Sequence, residues 1–401
     1  DRFKHINDTM GHDVGDELLK VASQRLRSAL RPEDVVARLG GDEFVVVVED
    51  ARADVAAVQL GQRLIERIEQ PFHHGDTLFA MSASVGVATV LPGDEPLDVV
   101  HRADSAVYQA KARGRARVEV FSEEIQARVE HRSGMELALR EALGRGELEM
   151  YLQPVLDLRS GAAIGAEALA RWFRPGIGFV PPTEFIDVAE GSSLIFELTR
   201  WMLYEACERV ARWRLLDPVC SLRIAVNLSG RHLLEGDLIA DLVEALSVSG
   251  ADPTMLELEL TETTLLADVD RARQVLATVR AMGITVAVDD FGTGFSSMAY
   301  LRQLDVDVIK VDRSFVSGAD QDGFDSTAVD AIVNFGRVLG IEVVAEGVET
   351  EAQLAYVRAR GCTRAQGYLL GRPLPADETE RALGLGAGGG TRTHTPLGTG
   401  T

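Results

Sequence analysis

The chain is poor in cysteine, in net positive charge and in long apolar runs. Its 401 residues contain three cysteines, Cys207, Cys220 and Cys362. Their number is odd and their spacing fits neither a zinc site nor a redox pair, so a disulfide-stapled fold is excluded and reduced thiols in a cytoplasmic protein are expected. Lysine and arginine number 41 against 62 acidic residues, a formal charge of −21. That balance argues against a nucleic-acid polymer as partner, because nothing general would attract a phosphate backbone. A small anionic ligand stays open if metals or local arginines hold it. No apolar run reaches the roughly 20 residues that span a bilayer, and no signal peptide is visible. The chain opens on Asp1 rather than methionine, so the expectation is the C-terminal portion of a longer protein, with any sensor or membrane anchor upstream. What is present, 46% hydrophobic and 26% charged residues, suffices for two globular domains with their own cores.

Residues 1 to about 120 read as the first domain. Leu18, Leu19, Val21, Ala22, Leu26 and Leu30 fall on one face of a helix over 16–30. Strands Val35–Leu39 and Glu43–Val48 follow, joined by Gly40-Gly41-Asp42, then a helix Ala53–Ile68, a strand Ala80–Ala88 and a helix Leu97–Ala112. This order predicts an α+β domain, an antiparallel-type sheet with helices packed on it. Residues 121–142 are charged and helix-favouring and read as a connecting helix. Residues 384–401 are dominated by Gly and Thr and are expected to be disordered and without function.

Between Glu149 and Gly371 a short apolar strand followed by a helical stretch recurs eight times, which predicts a (β/α)8 barrel over about 143–383. Most of the strands run into a residue that could hold a metal: Val226 into Asn227, the alternation Leu256–Glu259 into Glu262, Val288 into Asp289-Asp290, Ile309 into Lys310 and Ala345 into Glu346. Each has an ordinary reading on its own. Glu167 could be a salt-bridge partner, Asn227 a turn residue, and Asp289-Asp290 a surface turn. Glu259 lies between Leu258 and Leu260 and so faces opposite to them, where an inward carboxylate needs a partner or a metal. Lys310 in a buried strand needs an anion. Their joint recurrence at strand ends, which a barrel gathers at one mouth, points to hard divalent metals and a phosphate ester.

At these residues the segment from about 145 to 380 resembles an EAL domain, the cyclic di-GMP phosphodiesterase family. The resemblance rests on Glu167-Ala168-Leu169, Asn227-Leu228-Ser229, Glu259-Leu260-Thr261-Glu262, Asp289-Asp290-Phe291-Gly292-Thr293-Gly294, Lys310-Val311-Asp312, Glu346-Gly347-Val348-Glu349 and Gln366-Gly367-Tyr368. It implies that Glu167, Asn227, Glu259, Asp289, Asp290 and Glu346 hold two Mg²⁺ or Mn²⁺ ions, Asp289 being shared. It further implies that Lys310 orients the attacking water and that Glu262 steadies the loop after Asp290. Gln153, Arg171 and Gln366 would contact substrate or order the nucleophile. The implied reaction opens one phosphodiester bond of the ring and releases linear pGpG, with homodimerisation through the segment after Asp290. The stretch Ala189-Glu190-Gly191-Ser192-Ser193-Leu194-Ile195 departs from the family's Glu-rich version at the entry to a helix.

Gly40-Gly41-Asp42-Glu43-Phe44 would by itself be a hairpin with solvated acids. Together with Asp1 to Asp8 and Gly11-His12-Asp13-Val14-Gly15-Asp16 it makes residues 1 to about 120 resemble a GGDEF domain, the diguanylate cyclase family. That resemblance implies guanine recognition by Asn7 and Asp16, metal binding by Asp42, assistance by Glu43, triphosphate contacts by Lys111 and Arg115, and an inhibitory cyclic di-GMP site at Arg31 and Asp34. The family's metal-binding aspartate falls two residues before the position of Asp1, which implies a regulatory or inactive cyclase unit in this chain, with GTP as its ligand. The leading reading is therefore a cytoplasmic, metal-dependent cyclic di-GMP phosphodiesterase. The alternatives are a non-catalytic cyclic di-GMP receptor, a bifunctional enzyme in a full-length parent, or a barrel phosphodiesterase with another substrate.

Overall fold

Apolar residues at helical spacing build the first of two units, Asp1–Gly134 and Met135–Thr401. The computed structural model describes residues 1, 3–49, 53–74, 77–79, 81–292, 304–318 and 324–385. Arg2, Ala80, Thr293, Gly294, most of the segment after Asp290 expected to mediate dimerisation (from residue 293) and the expected tail beyond residue 385 lie outside them.

In the first unit, helices α1 (Phe3–Met10) and α2 (His12–Ala29) precede an antiparallel hairpin of β1 (Val35–Gly40) and β2 (Glu43–Val47). Gly41 turns that hairpin at φ +51°, a left-handed value that glycine adopts without strain. Helix α3 (Ala53–Glu69) packs Leu64 and Ile68 against Leu18, Ala22 and Leu26 of α2, with Phe72 and Met81 closing the cluster. A short hairpin, β3 (Phe72–His74) with β4 (Thr77–Phe79), was not anticipated. The strand expected over 80–88 is only Val85–Val87 (β5) among the described residues; just before it, Ser82 and Ser84 donate their hydroxyls to the Asp1 carboxylate at 3.1 and 3.0 Å. A helix, α4 (Pro96–Ala112), carries the chain over to β6 (Val118–Val120), which pairs with β5 in parallel. The crossover dictates that direction, since a parallel neighbour needs a long connection. A Cβ on Gly86 would stand 2.1 Å from the Ala103 carbonyl oxygen, so glycine lets α4 lie directly on β5. The pairings are thus partly parallel rather than uniformly antiparallel. Helix α5 (Glu123–Arg145) carries the division between the units.

The second unit is a closed eight-stranded barrel. Its strands are β7 (Leu148–Asp157) and β8 (Ala163–Arg174), the latter extended by β9 (Gly178–Val180), then β10 (Arg223–Asn227), β11 (Leu256–Thr261), β12 (Thr285–Phe291), β13 (Val308–Val311), β14 (Glu342–Ala345) and β15 (Arg364–Ala365). From β8 to β15 neighbouring barrel strands are parallel, and β7 closes the ring by pairing antiparallel with both. The repeat of strand then helix therefore fails at its start: β7 and β8 form a hairpin, because residues 158–162 are too few for a crossover helix. Helices α6 (Pro182–Glu190) and α7 (Leu194–Leu216) follow β9, and α8 (Gly230–Glu235) and α9 (Leu238–Ser249) follow β10. Next come α10 (Glu262–Ala267) and α11 (Val269–Ala281) after β11. No helix among the described residues is long and apolar enough to cross a membrane.

Strand alternation separates two apolar layers. Leu256, Leu258, Leu260, Val286, Val288, Ile309, Val311 and Val343 face outward into the helix-packed core. Ala287, Val308 and Val344 face inward and form a small cluster of their own. Above that cluster the inward positions are polar, and there the candidate site begins.

One glycine is fixed by packing beside it. A Cβ on Gly367 would stand 2.1 and 2.2 Å from the Val348 carbonyl oxygen and nitrogen, which are backbone atoms with little room to give. Gly367→Ala is expected to destabilise the barrel by about 1–3 kcal/mol, read as a lowered urea midpoint. An unchanged midpoint would show that the loop relaxes freely.

Candidate active site

Lys310 is the centre of the barrel mouth. Its side chain is 2% exposed, and its ammonium lies 2.7 Å from Glu259, 2.8 Å from Glu346, 3.2 Å from Asp289 and 3.9 Å from Glu167. Neighbouring strands supply these groups from inward positions: Lys310 and Val344 are register partners across β13 and β14, and Asn227 and Glu259 across β10 and β11. The surrounding carboxylates hold Lys310 well above the usual lysine range despite its burial.

Glu167 is the fifth residue of β8 rather than its last, and it faces Gln153 of β7 in register. One carboxylate oxygen accepts a hydrogen bond from Asn227 Nδ2 at 2.7 Å and the other from Gln366 Nε2 at 2.6 Å. The same Gln366 amide reaches Gln153 Oε1 at 3.1 Å, and Gln153 Nε2 donates to the Gly371 carbonyl. Both Glu167 oxygens are thus aimed before any ligand arrives.

Asp289 and Asp290 are neighbours in sequence, and successive strand side chains normally point to opposite faces. Here the backbone turns left-handed at Asp290, φ 52°, where the β12–β13 register breaks between Val288 and Phe291. The turn brings oxygens of Asp289, Asp290 and Glu346 within 4.8 Å of one another. A left-handed aspartate is strained, and such strain collects at functional sites. Glu262, the first residue of α10, is buried and accepts the Gly292 backbone N–H at 3.2 Å, tying β11 to the chain just after Asp290.

Crowding shows in the protonation behaviour. Burial pushes the Glu346 carboxyl up to about 8, with Lys310 opposing the shift and Asp289 and Glu167 adding to it. Burial raises Glu259 well above its ordinary value, and burial and then Asp289 raise Asp290. Carboxyl groups outnumber the single ammonium five to one, from buried Glu167 and Glu259 to exposed Asp290, and oxygen donors converging in this way suit hard divalent cations. The residues present therefore fit a metal site. Arg171 is half-buried near the mouth, its guanidinium 5.7 Å from the Tyr151 ring centre, and burial lowers its pKa.

The mouth gathers Gln153, Glu167, Asn227, Glu259, Asp289, Lys310, Glu346 and Gln366 into one contact set, with Asp290 beside it and Glu262 behind. Sequence reasoning missed a buried ion pair one layer deeper, Arg364 with Glu257 at 2.9 Å. The signal was present: Glu257 precedes Glu259 by two residues and Arg364 precedes Gln366 by two, so both pairs share an inward face.

The first unit brings together part of its expected set. The Asp1 amino group, its pKa lowered mainly by burial, feels the charges of Asp42, Lys111 and Arg115. Asp16, Asp42, Glu43, Lys111 and Arg115 are exposed, whereas Asn7 Oδ1 is buried without a hydrogen-bond partner. At Arg31 and Asp34 a local turn forms, with the Arg31 backbone N–H donating to Asp34 Oδ2 at 2.8 Å.

These features define a class. Residues 136–373 match the EAL domain and residues 1–117 the diguanylate cyclase GGDEF domain; the chain belongs to the EAL domain family, with a GGDEF unit ahead of the barrel. It is 40% identical over 380 residues to the bifunctional diguanylate cyclase/cyclic di-GMP phosphodiesterase MucR of Pseudomonas aeruginosa, covering 94% of this chain and 55% of that protein. It is also 40% identical over 385 residues to the cyclic di-GMP phosphodiesterase NbdA of the same organism, covering 96% of this chain and 49% of that protein. The chain spans about half the length of the curated relatives it matches. Among solved structures, the PaMucR phosphodiesterase in complex with c-di-GMP matches 61% of this chain and 99% of that one, at 40% identity and TM-score 0.59. The EAL domain of Mycobacterium smegmatis DcpA matches 60% and 96%, at 31% identity and TM-score 0.51.

Proposed function

We propose that the barrel hydrolyses cyclic di-GMP to linear pGpG with two Mg²⁺ or Mn²⁺ ions held by Glu167, Asn227, Glu259, Asp289, Asp290 and Glu346. The observation that carries this reading is the buried Lys310 ammonium ringed by Glu259, Glu346 and Asp289. When bound, the ions supply Lewis acidity and a water of lowered pKa. The chain's own residues do the rest. Asn227 and Gln366 fix the direction of Glu167, Glu262 fixes the turn at Asp290, and Lys310, whose three N–H groups face Glu259, Glu346 and Asp289, would turn one of them from its carboxylate to the attacking water. Arg171, half-buried beside the mouth, is assigned to the dinucleotide, and Gln153, buried and bonded to Gln366, to ordering the groups around Glu167. One water adds across one phosphodiester bond, its oxygen going to phosphorus and its proton to the departing ribose oxygen. The ring opens with no other bond broken.

The first unit we read as regulatory. GTP is the ligand to try, because residues 1–117 match the GGDEF family and Asn7 and Asp16 stand at the positions that family uses for guanine. The substrate class and the three buried cysteines fit a cytoplasmic setting. Homodimerisation is retained as the family expectation.

The test is turnover of cyclic di-GMP by the purified chain with Mg²⁺ or Mn²⁺, resolved by chromatography, with and without chelator and with and without GTP. Formation of pGpG that chelation abolishes is expected. Nucleotide binding without turnover would overturn the hydrolase reading in favour of a receptor, and a rate indifferent to GTP would remove the regulatory one.

A further inference from the structure

Beneath the mouth the barrel holds a second layer of charge. Arg364 of β15 lies 2.9 Å from Glu257 of β11, and both side chains are more than nine-tenths buried. The other guanidinium nitrogen of Arg364 is paired with Glu342, the first residue of β14. Glu257, Glu259, Lys310, Arg364 and Gln366 line one internal cavity, which places both layers on the same inner wall.

β15 is the shortest strand of the ring. It consists of Arg364 and Ala365, pairs with β14 through Val344 and Ala345, and pairs with β7 through Asp157 and Leu156. The residue after it is Gln366, which carries one oxygen of Glu167. On β11 the residue two beyond Glu257 is Glu259, the nearest partner of Lys310. The lower pair thus joins the two strands whose next inward side chains aim the upper set. A two-residue strand has little ladder of its own to fix its position, and a planar guanidinium that bridges two carboxylates, one through each terminal nitrogen, supplies a rigid, directional tie.

We propose that Arg364 is a positioning residue for the metal site: by clamping Glu257 and Glu342 it holds β15, and with it Gln366, in the place from which Glu167 is aimed. The Arg364 cation also neutralises a carboxylate that would otherwise add to the crowd around Glu259. The inference rests on reading the mouth as a metal site but not on the identity of the substrate.

The test uses the full chain and Mn²⁺ alone, with free Mn²⁺ followed by its paramagnetic resonance signal. Arg364→Gln is expected to weaken Mn²⁺ binding by about 10- to 100-fold, the range seen when groups supporting metal ligands are removed. Arg364→Lys is expected to recover only part of that, since an ammonium cannot make the fork. Because a lone buried Glu257 could unfold the first variant, a double variant, Glu257→Leu with Arg364→Met, removes the pair together. It is expected to keep the melting temperature near that of the parent while still binding Mn²⁺ at least tenfold more weakly. Unaltered Mn²⁺ affinity in the folded double variant would overturn the proposal, whatever happens to the melting temperature. Weakened Mn²⁺ binding in a chain whose parent does not hydrolyse cyclic di-GMP would support this inference and sink the proposed function separately.

Discussion

Replacing Lys310 by methionine is expected to lower pGpG formation by about a thousandfold or more at saturating Mn²⁺, the scale set by losing one preorganised donor from a water-excluded site. Methionine matches the aliphatic stem, so packing changes little and the effect isolates the ammonium. Without it, Glu259 and Glu346 lose partners at 2.7 and 2.8 Å, and removing one member of a buried ion pair typically destabilises by about 3–5 kcal/mol. Part of that loss is relieved by protonation, because burial already raises Glu259 and Glu346 in the parent. The metal-free variant should therefore melt lower than the parent, and Mn²⁺ should raise its melting temperature by more, since cations then carry all the neutralisation. Lys310→Arg should not restore turnover, because a planar guanidinium does not fit where a compact ammonium meets three carboxylates. Residual turnover within tenfold of the parent would remove Lys310 from the chemistry and leave it a structural counter-ion.

Much of this site could be read from the chain because barrel strands convert a local pattern into a shared location. Leu256-Glu257-Leu258-Glu259-Leu260 declares by alternation which face carries acids, and Val308-Ile309-Lys310-Val311 does the same for the base. The hairpin β7–β8 was less legible. Its strands look like the others in composition, and only the shortness of residues 158–162 betrays that no helix fits between them. The convergence of Asp289 and Asp290 depends on a left-handed φ at an aspartate, which side-chain alternation alone would have predicted against. The Arg364–Glu257 pair was overlooked for a related reason: each partner is ordinary in its own strand, and only ring closure brings β11 and β15 to opposite sides of one cavity. In the first unit, the three longer helices are legible to within a few residues, whereas the eight-residue helix Phe3–Met10 and three-residue strands such as Val85–Val87 and Val118–Val120 carry too few side chains to register as a period.

Glu167→Gln, a substitution that looks conservative, is expected to abolish turnover as completely as Glu167→Ala. The reason lies in donors. Glu167 accepts from Asn227 Nδ2 with one oxygen and from Gln366 Nε2 with the other. A glutamine there must present its own NH₂ to one of those two donors, so one of the two amides has to flip and offer its oxygen instead. Flipping Gln366 also breaks the bond from its Nε2 to Gln153. The amide variant therefore loses a metal ligand and disturbs its neighbours, while alanine loses the ligand and leaves room for water to satisfy both amides. Two measurements separate these effects. Chromatography should show pGpG formation reduced by about a thousandfold in both variants. Thermal unfolding should place the alanine variant at or above the glutamine variant, the reverse of what side-chain volume would suggest. Cyclic di-GMP binding should survive in the alanine variant to within about tenfold, a loss of roughly 1.4 kcal/mol, because Arg171 and the outer walls of the mouth are untouched. Glutamine at 167 supporting more than a tenth of the parent rate would show that the carboxylate charge is dispensable, and the metal assignment at the mouth would then rest on Asn227, Glu259, Asp289, Asp290 and Glu346.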